Sequence, residues 1–150
     1  MKICIVSSAG GHLVQCLKIL PILKKYELFV VTFEKTPLKI LLKGLKTYLI
    51  ENPKRNPIKF ILFAPKFLNI LINEKPDVVI TTGAGIAVPF CLFAKLFFNS
   101  KIIFIESFSR IYKPSSTGKI LYNFADLFFV QWPKLRKKYG EKAVYAGSLL

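Results

Sequence analysis

The chain has 150 residues, enough for one α/β domain with a substantial core and too few for two. Hydrophobic residues make up 53% of it, yet no run reaches the roughly 18 uncharged apolar residues of a membrane-spanning helix. The net charge of +15 points to an anionic partner (phospholipid, phosphorylated substrate or nucleic acid), although a lysine-rich, arginine-poor composition with abundant Ile, Phe and Asn also arises from AT-rich coding alone.

Short β-branched or aromatic runs alternate with longer helical stretches. The pattern predicts strands at Lys2–Ser7, Glu27–Phe33, Lys46–Ile50, Asp77–Thr82, Lys101–Glu106, Leu127–Gln131 and Ala143–Ala146. Helices are expected at Gly11–Lys25, Pro37–Leu42, Pro57–Asn73, Ile86–Phe98, Ser116–Phe124 and Pro133–Tyr139. The opening residues lack the h-region and cleavage site of a signal peptide and read as a first strand, so a cytoplasmic location is expected. Runs such as "ICIV", "LFVV", "DVVI" and "IIFI" are apolar at every position, as in a parallel sheet covered on both faces. Strand–helix alternation of this kind predicts an α/β fold, a Rossmann-like doubly wound parallel sheet. A polar turn with two prolines, Glu51–Pro57, is the one linker-like patch. Cys4, Cys16 and Cys91 are too far apart for a C-x-x-C motif and have one histidine between them, which argues against a zinc site and for buried thiols.

Doubly wound sheets bind ligands beyond the carboxyl ends of their strands. Three loops leave such ends, and they are expected to converge. The first is "VSSAGGH", Val6–His12. Small residues permit a tight turn, Gly10 and Gly11 permit close backbone approach, and Ser7 and Ser8 supply hydroxyls. Amides at the helix start would face a phosphate or diphosphate, with His12 aimed at whatever the loop holds. The loop is neither the G-x-G-x-x-G fingerprint nor a Walker loop, and a helix cap with a solvent-facing histidine also accounts for it. The second, "TTGAGIAVP", repeats the device with Gly83 and Gly85, for which a packing role is equally open. The third is "IESFSR": Glu106 ends an apolar strand and could take a proton from a sugar hydroxyl, while Arg110 could grip an anion. A local Glu106–Arg110 ion pair is the alternative. Two Phe/Leu-rich helices with scattered lysines, Pro57–Asn73 and Ile86–Phe98, are expected to form core and also to touch an anionic membrane surface.

Taken together, "SSAGGH", "TTGAG", "IESFSR", "TGKILYNFADLFFVQWP" and "YAGSLL" resemble the acceptor-side, membrane-anchoring subunit of two-component glycosyltransferases. This oligosaccharide-biosynthesis family has a eukaryotic dolichol-pathway branch and bacterial and archaeal capsular or exopolysaccharide homologues. It is similar to the amino-terminal half of the GT-B enzyme of peptidoglycan lipid II synthesis. The resemblance covers essentially the whole chain and implies half a GT-B enzyme: a separate subunit would bind the UDP-sugar, and this chain the polyprenyl-diphosphate-linked acceptor. It implies acceptor-side roles for Ser8, Gly10, Gly11, Gly83, Gly85, Ser107 and Arg110, and His12 or Glu106 as the base of an inverting transfer that uses no metal and no cofactor. Eukaryotic members carry an amino-terminal membrane helix, whereas this chain starts at the first strand, so peripheral attachment at the cytoplasmic face is expected. A non-catalytic scaffold that recruits the donor subunit is the competing reading. A nucleic-acid-binding module is disfavoured, because basic–aromatic recognition motifs are absent.

Overall fold

A computed structural model describes residues 1–34, 42–52 and 62–149. Seven strands, β1 (Lys2–Val6), β2 (Glu27–Phe33), β3 (Lys46–Ile50), β4 (Val78–Thr81), β5 (Lys101–Ile105), β6 (Leu127–Val130) and β7 (Ala143–Tyr145), form one sheet. The order is β3-β2-β1-β4-β5-β6-β7 and every pairing is parallel. The apolar runs therefore form the expected doubly wound sheet. Each strand sends alternate residues to opposite faces. Cys4 and Val6 join one cluster with Phe29, Val79, Phe104 and Phe128, while Ile3 and Ile5 belong to clusters on the other side.

Six helices occur among the described residues: α1 (Gly11–Leu17), α2 (Leu20–Leu23), α3 (Ala64–Glu74), α4 (Ala87–Phe98), α5 (Ser116–Leu121) and α6 (Pro133–Tyr139). Helices α3 to α6 cover the first face through Phe67, Phe90, Leu121 and Leu135, and α1 covers the second through Leu13 and Cys16. The continuous helix expected over Gly11–Lys25 is instead two. Pro21 has no N–H to donate and its ring crowds the carbonyl four residues back, which is Leu17, the last residue of α1. The expected helix Pro37–Leu42 lies almost wholly outside the described residues, as do the first residues of the one expected over Pro57–Asn73. That second helix is described from Ala64 and runs to Glu74.

The cysteines are free and buried. The two Phe/Leu-rich helices pack on each other through Phe67 and Phe90, whose rings meet edge-on at 5.7 Å. Their outer faces leave Ile72, Leu96 and Phe97 exposed, the last two by 68% and 65%. No helix among the described residues is long and apolar enough to cross a membrane.

The sheet's order fixes where a ligand can sit. From β1 the chain winds outward through β2 and β3, then crosses back to β4 on the other side of β1. Adjacent crossovers leave on opposite faces there and open a crevice beyond the carboxyl ends of β1 and β4.

Candidate functional site

The loops that leave β1, β4 and β5 do converge at this crevice. Gly10 initiates α1 with φ of +89°, a backbone conformation that a side chain resists, so glycine is needed there to turn the chain from strand to helix. Gly11 has no such constraint, and a Cβ on it would meet open space. In the second loop Gly83 and Ala84 both have positive φ (+108° and +104°), whereas Gly85 does not and is exposed. The turn at Gly83 brings its Cα face against the His12 ring, 3.4 Å from the position of an added Cβ.

His12 is thereby held on three sides. Its Nδ1 lies 3.0 Å from the Thr82 carbonyl oxygen, and the Thr82 hydroxyl donates to the His12 carbonyl at 2.8 Å. A carbonyl can only accept, so Nδ1 carries the proton and the lone pair of the neutral ring resides on Nε2. Among the described residues nothing hydrogen-bonds Nε2. His12 also lines a cleft of about 450 Å³ between α1 (Gly11 to Gln15) and the loop Ser107–Ser109.

The opposite wall of that cleft is set by residues the motif analysis did not single out. Gln15, one turn after Gly11, is buried; its Oε1 accepts from Phe108 N and from Gln131 Nε2, both at 2.8 Å. Its Nε2 donates to Ser107 Oγ at 3.3 Å. Gln131, just beyond β6, also donates to the Glu106 carbonyl at 2.9 Å and accepts from Leu149 N at 2.8 Å. Trp132 Nε1 donates to the Phe108 carbonyl at 2.7 Å, and the two rings lie 5.0 Å apart. A buried amide pair thus ties α1, the loop after β5, the end of β6 and the last described residues together. The sequence signal available was a polar residue, Gln131, closing the apolar run "LFFV", as Glu106 closes "IIFI".

Glu106 is placed differently from His12. Its carboxylate is fully buried and takes donors on both oxygens: Ser107 N at 2.9 Å on Oε1, and Ser115 N at 3.1 Å, Ser115 Oγ at 3.0 Å and the Tyr139 hydroxyl on Oε2. Ser115 also caps α5, its Oγ accepting from Gly118 N at 2.9 Å. Burial, and then the bond to Glu106, push the Tyr139 phenol upward, so it stays a donor. The carboxylate faces this packed cluster and not the cleft, and this geometry does not suit it to take a proton from a ligand. Nor does it pair with Arg110, which is exposed; the two meet only through the loop, where Arg110 N donates to the Ser107 carbonyl. Ser107 is buried at the cleft wall and shares its hydroxyl with Ser109 at 3.1 Å, while Ser8 is half-buried in the first loop. The structure therefore brings Gly10, Gly11, His12, Gly83 and Ser107 together, and leaves Gly85 and Arg110 on exposed parts of the same loops.

Known proteins resemble this chain at two levels, sequence and fold. A family model described as "Oligosaccharide biosynthesis protein Alg14 like" matches residues 53–149. The human protein named UDP-N-acetylglucosamine transferase subunit ALG14 is 40% identical over 86 residues, which cover 54% of this chain and 39% of that protein. The subunit of the same name from Yarrowia lipolytica is 30% identical over 176 aligned positions, covering 99% of this chain and 81% of that protein. The chain thus spans well under half the length of the human relative it matches and most of the yeast one. Among solved structures, Acinetobacter baumannii MurG superposes with a TM-score of 0.78 at 18% identity over 99% of this chain and 45% of that one. The UDP-GlcNAc 2-epimerase of Neisseria meningitidis, bound to UDP-GlcNAc, gives 0.75 at 15% identity, over 99% of this chain and 47% of that one. At these identities the structural likeness concerns the fold.

Proposed function

Because this chain belongs to the Alg14-like family of oligosaccharide biosynthesis proteins, we propose that it is the acceptor-binding, membrane-associating subunit of a two-component UDP-sugar glycosyltransferase. Its substrate in this reading is a polyprenyl-diphosphate-linked sugar, and a separate subunit holds the UDP-sugar. The fold, close to one half of the MurG chain, supports this division.

The observation that carries the reading is the setting of His12: Nδ1 anchored on the Thr82 carbonyl, Nε2 without a protein partner among the described residues, at the wall of the cleft. In the transfer an acceptor hydroxyl oxygen attacks the anomeric carbon. The bond from that carbon to the UDP oxygen breaks with its electron pair leaving on UDP, and the hydroxyl proton passes to His12 Nε2. Thr82 keeps the ring in the tautomer that can receive it. The first-turn amides of α1, beside Gly10 and Gly11, suit the acceptor diphosphate. Glu106 contributes by fixing the loop that forms the other wall. Ile72, Leu96 and Phe97 on the outer faces of α3 and α4, with exposed Lys66, suit peripheral attachment to the cytoplasmic leaflet.

Steady-state kinetics of the chain reconstituted with its donor-binding subunit, on a short-chain polyprenyl-diphosphate sugar, test this. The chain alone is expected to be inactive. His12→Ala lowers kcat roughly 10²-fold or more with little change in KM. Gly11→Ala, which strains nothing in the fold, raises KM for the acceptor. A His12→Ala complex with the wild-type kcat removes the base and leaves a scaffold that recruits the catalytic subunit. Anionic vesicles are expected to bind the chain better than neutral ones, with salt weakening the difference.

A further inference from the structure

Away from the His12 cleft, a larger cavity of about 840 Å³ lies between the loop Tyr112–Pro114 and helix α6. It is lined by Tyr112, Pro114 and Pro133 together with four lysines, Lys113, Lys134, Lys137 and Lys138. The Lys134 ammonium lies 4.8 Å from the centroid of the Tyr112 ring, so one of the four cations packs on an aromatic face of the lining. Among the described residues none of these four lysines makes an ion pair. Four other lysines of the described residues, Lys2, Lys46, Lys95 and Lys101, meet Glu27, Glu74 or Asp126 at 2.5–3.7 Å. Lys134 is followed three and four positions later by Lys137 and Lys138, same-sign neighbours that destabilise an isolated helix. A hollow lined by four lysines without an ion pair suits a compact oxyanion better than a flat bilayer surface, because cations around a hollow can converge on one small anion.

We propose that this cavity is a second oxyanion site, which takes a phosphate or diphosphate group independently of the cleft at His12. The inference goes beyond the glycosyl-transfer reading and does not depend on it. The loop Ser109–Lys113 borders both places: Ser109 lines the His12 cleft, and Tyr112 and Lys113 line the cavity. A group bound at α6 therefore leans on the loop that walls the cleft.

The molecule carries its own reporter. Trp132 is the one tryptophan of the chain, adjoins Pro133 and is half-buried. Titration of the purified chain with inorganic pyrophosphate, read by Trp132 emission and by calorimetry, is expected to saturate. Joint substitution Lys134→Gln, Lys137→Gln and Lys138→Gln, all exposed and so harmless to folding, raises the dissociation constant at least tenfold, while His12→Ala titrates at this site as wild type. Parallel titrations distinguish the source of the group. A short-chain prenyl diphosphate weakened by the triple substitution marks a lipid-linked diphosphate, and phosphatidylglycerol vesicles weakened by it mark a headgroup. Failure of the wild-type chain to saturate, an unchanged constant in the triple variant, or loss of binding in His12→Ala overturns the proposal.

Discussion

Glu74 lies at the end of α3 beside the amino edge of the sheet, and Glu106 at the end of β5 beside the carboxyl edge. Both are buried, and they are satisfied in opposite ways. Lys46 and Lys2 reach Glu74 from solvent at 2.5 and 3.1 Å, and the Tyr48 hydroxyl adds a third donor. Glu106 has no cation; its donors are two hydroxyls and two backbone amides, drawn from Ser107, Ser115 and Tyr139. At the amino edge a charge is matched by charge, which ties together the first residues of β1 and β3. At the carboxyl edge a carboxylate gathers neutral donors and so shapes a loop that walls the His12 cleft. Burial alone therefore says little about a carboxylate's role; the identity of its donors separates a structural ion cluster from a loop organiser.

The largest effect is expected where no cation can follow a change. Glu106→Ala leaves two hydroxyls and two amides without their acceptor inside the protein, and about 3–5 kcal/mol of stability is lost, measured as a shift of the urea midpoint at constant slope. A variant that stayed as stable as wild type while losing turnover would return Glu106 to the cleft as a reacting group. Gly118→Ala probes the same cluster from the other side. Its Cβ would overlap the Tyr139 hydroxyl and lie 2.7 Å from Glu106 Oε2, so a loss of about 2–3 kcal/mol is expected by the same measurement.

The Glu74 cluster responds to pH. Burial raises this carboxyl, but the hydrogen bonds from Lys46, Tyr48 and Lys2 outweigh it and hold it at about 2, below its ordinary 4.5. A depressed folded value means the stabilisation is present above the unfolded value of 4.5 and is lost as pH falls toward 2. Glu74→Gln is expected to cost roughly 2 kcal/mol at neutral pH, and to flatten the decline of stability between those limits, followed by thermal unfolding across pH. Identical pH profiles for variant and wild type would mean the lysines do not act on Glu74. Smallest is Lys46→Gln. Its side chain is 62% exposed, so the loss is a minor part of the Glu74 effect and shrinks with added salt.

The site was partly legible before the fold was known. Gly10, Gly11 and His12 follow a β1 run and Gly83 follows a β4 run, so topology alone brings them to one crevice. The role of Glu106 was not legible, because Ser115, Gly118 and Tyr139 lie 9, 12 and 33 positions further along and no local pattern links them to it. Gln15 and Gln131 are 116 positions apart, each an ordinary polar residue until the sheet sets them side by side. Nor does "NEKP" announce that Glu74 is buried among lysines from two other strands.

Local chemistry along the chain determined the elements and their order. Runs apolar at every position demand cover on both faces, short connections between strand and helix impose a parallel winding, and a Gly-Gly-His turn after the first strand marks the carboxyl edge of the sheet. Pro21, visible from the start, was enough to divide the first helix. Tertiary structure alone decided which polar groups meet: that His12 rests on Thr82 and Gly83 at the wall of the cleft, and that Glu106 turns inward to Ser115 and Tyr139. The physical reason is one of range. Periodicity and turn chemistry act over a few neighbouring residues, whereas a buried polar group takes its donors from whatever the packed sheet brings within about 3 Å, at any separation along the chain.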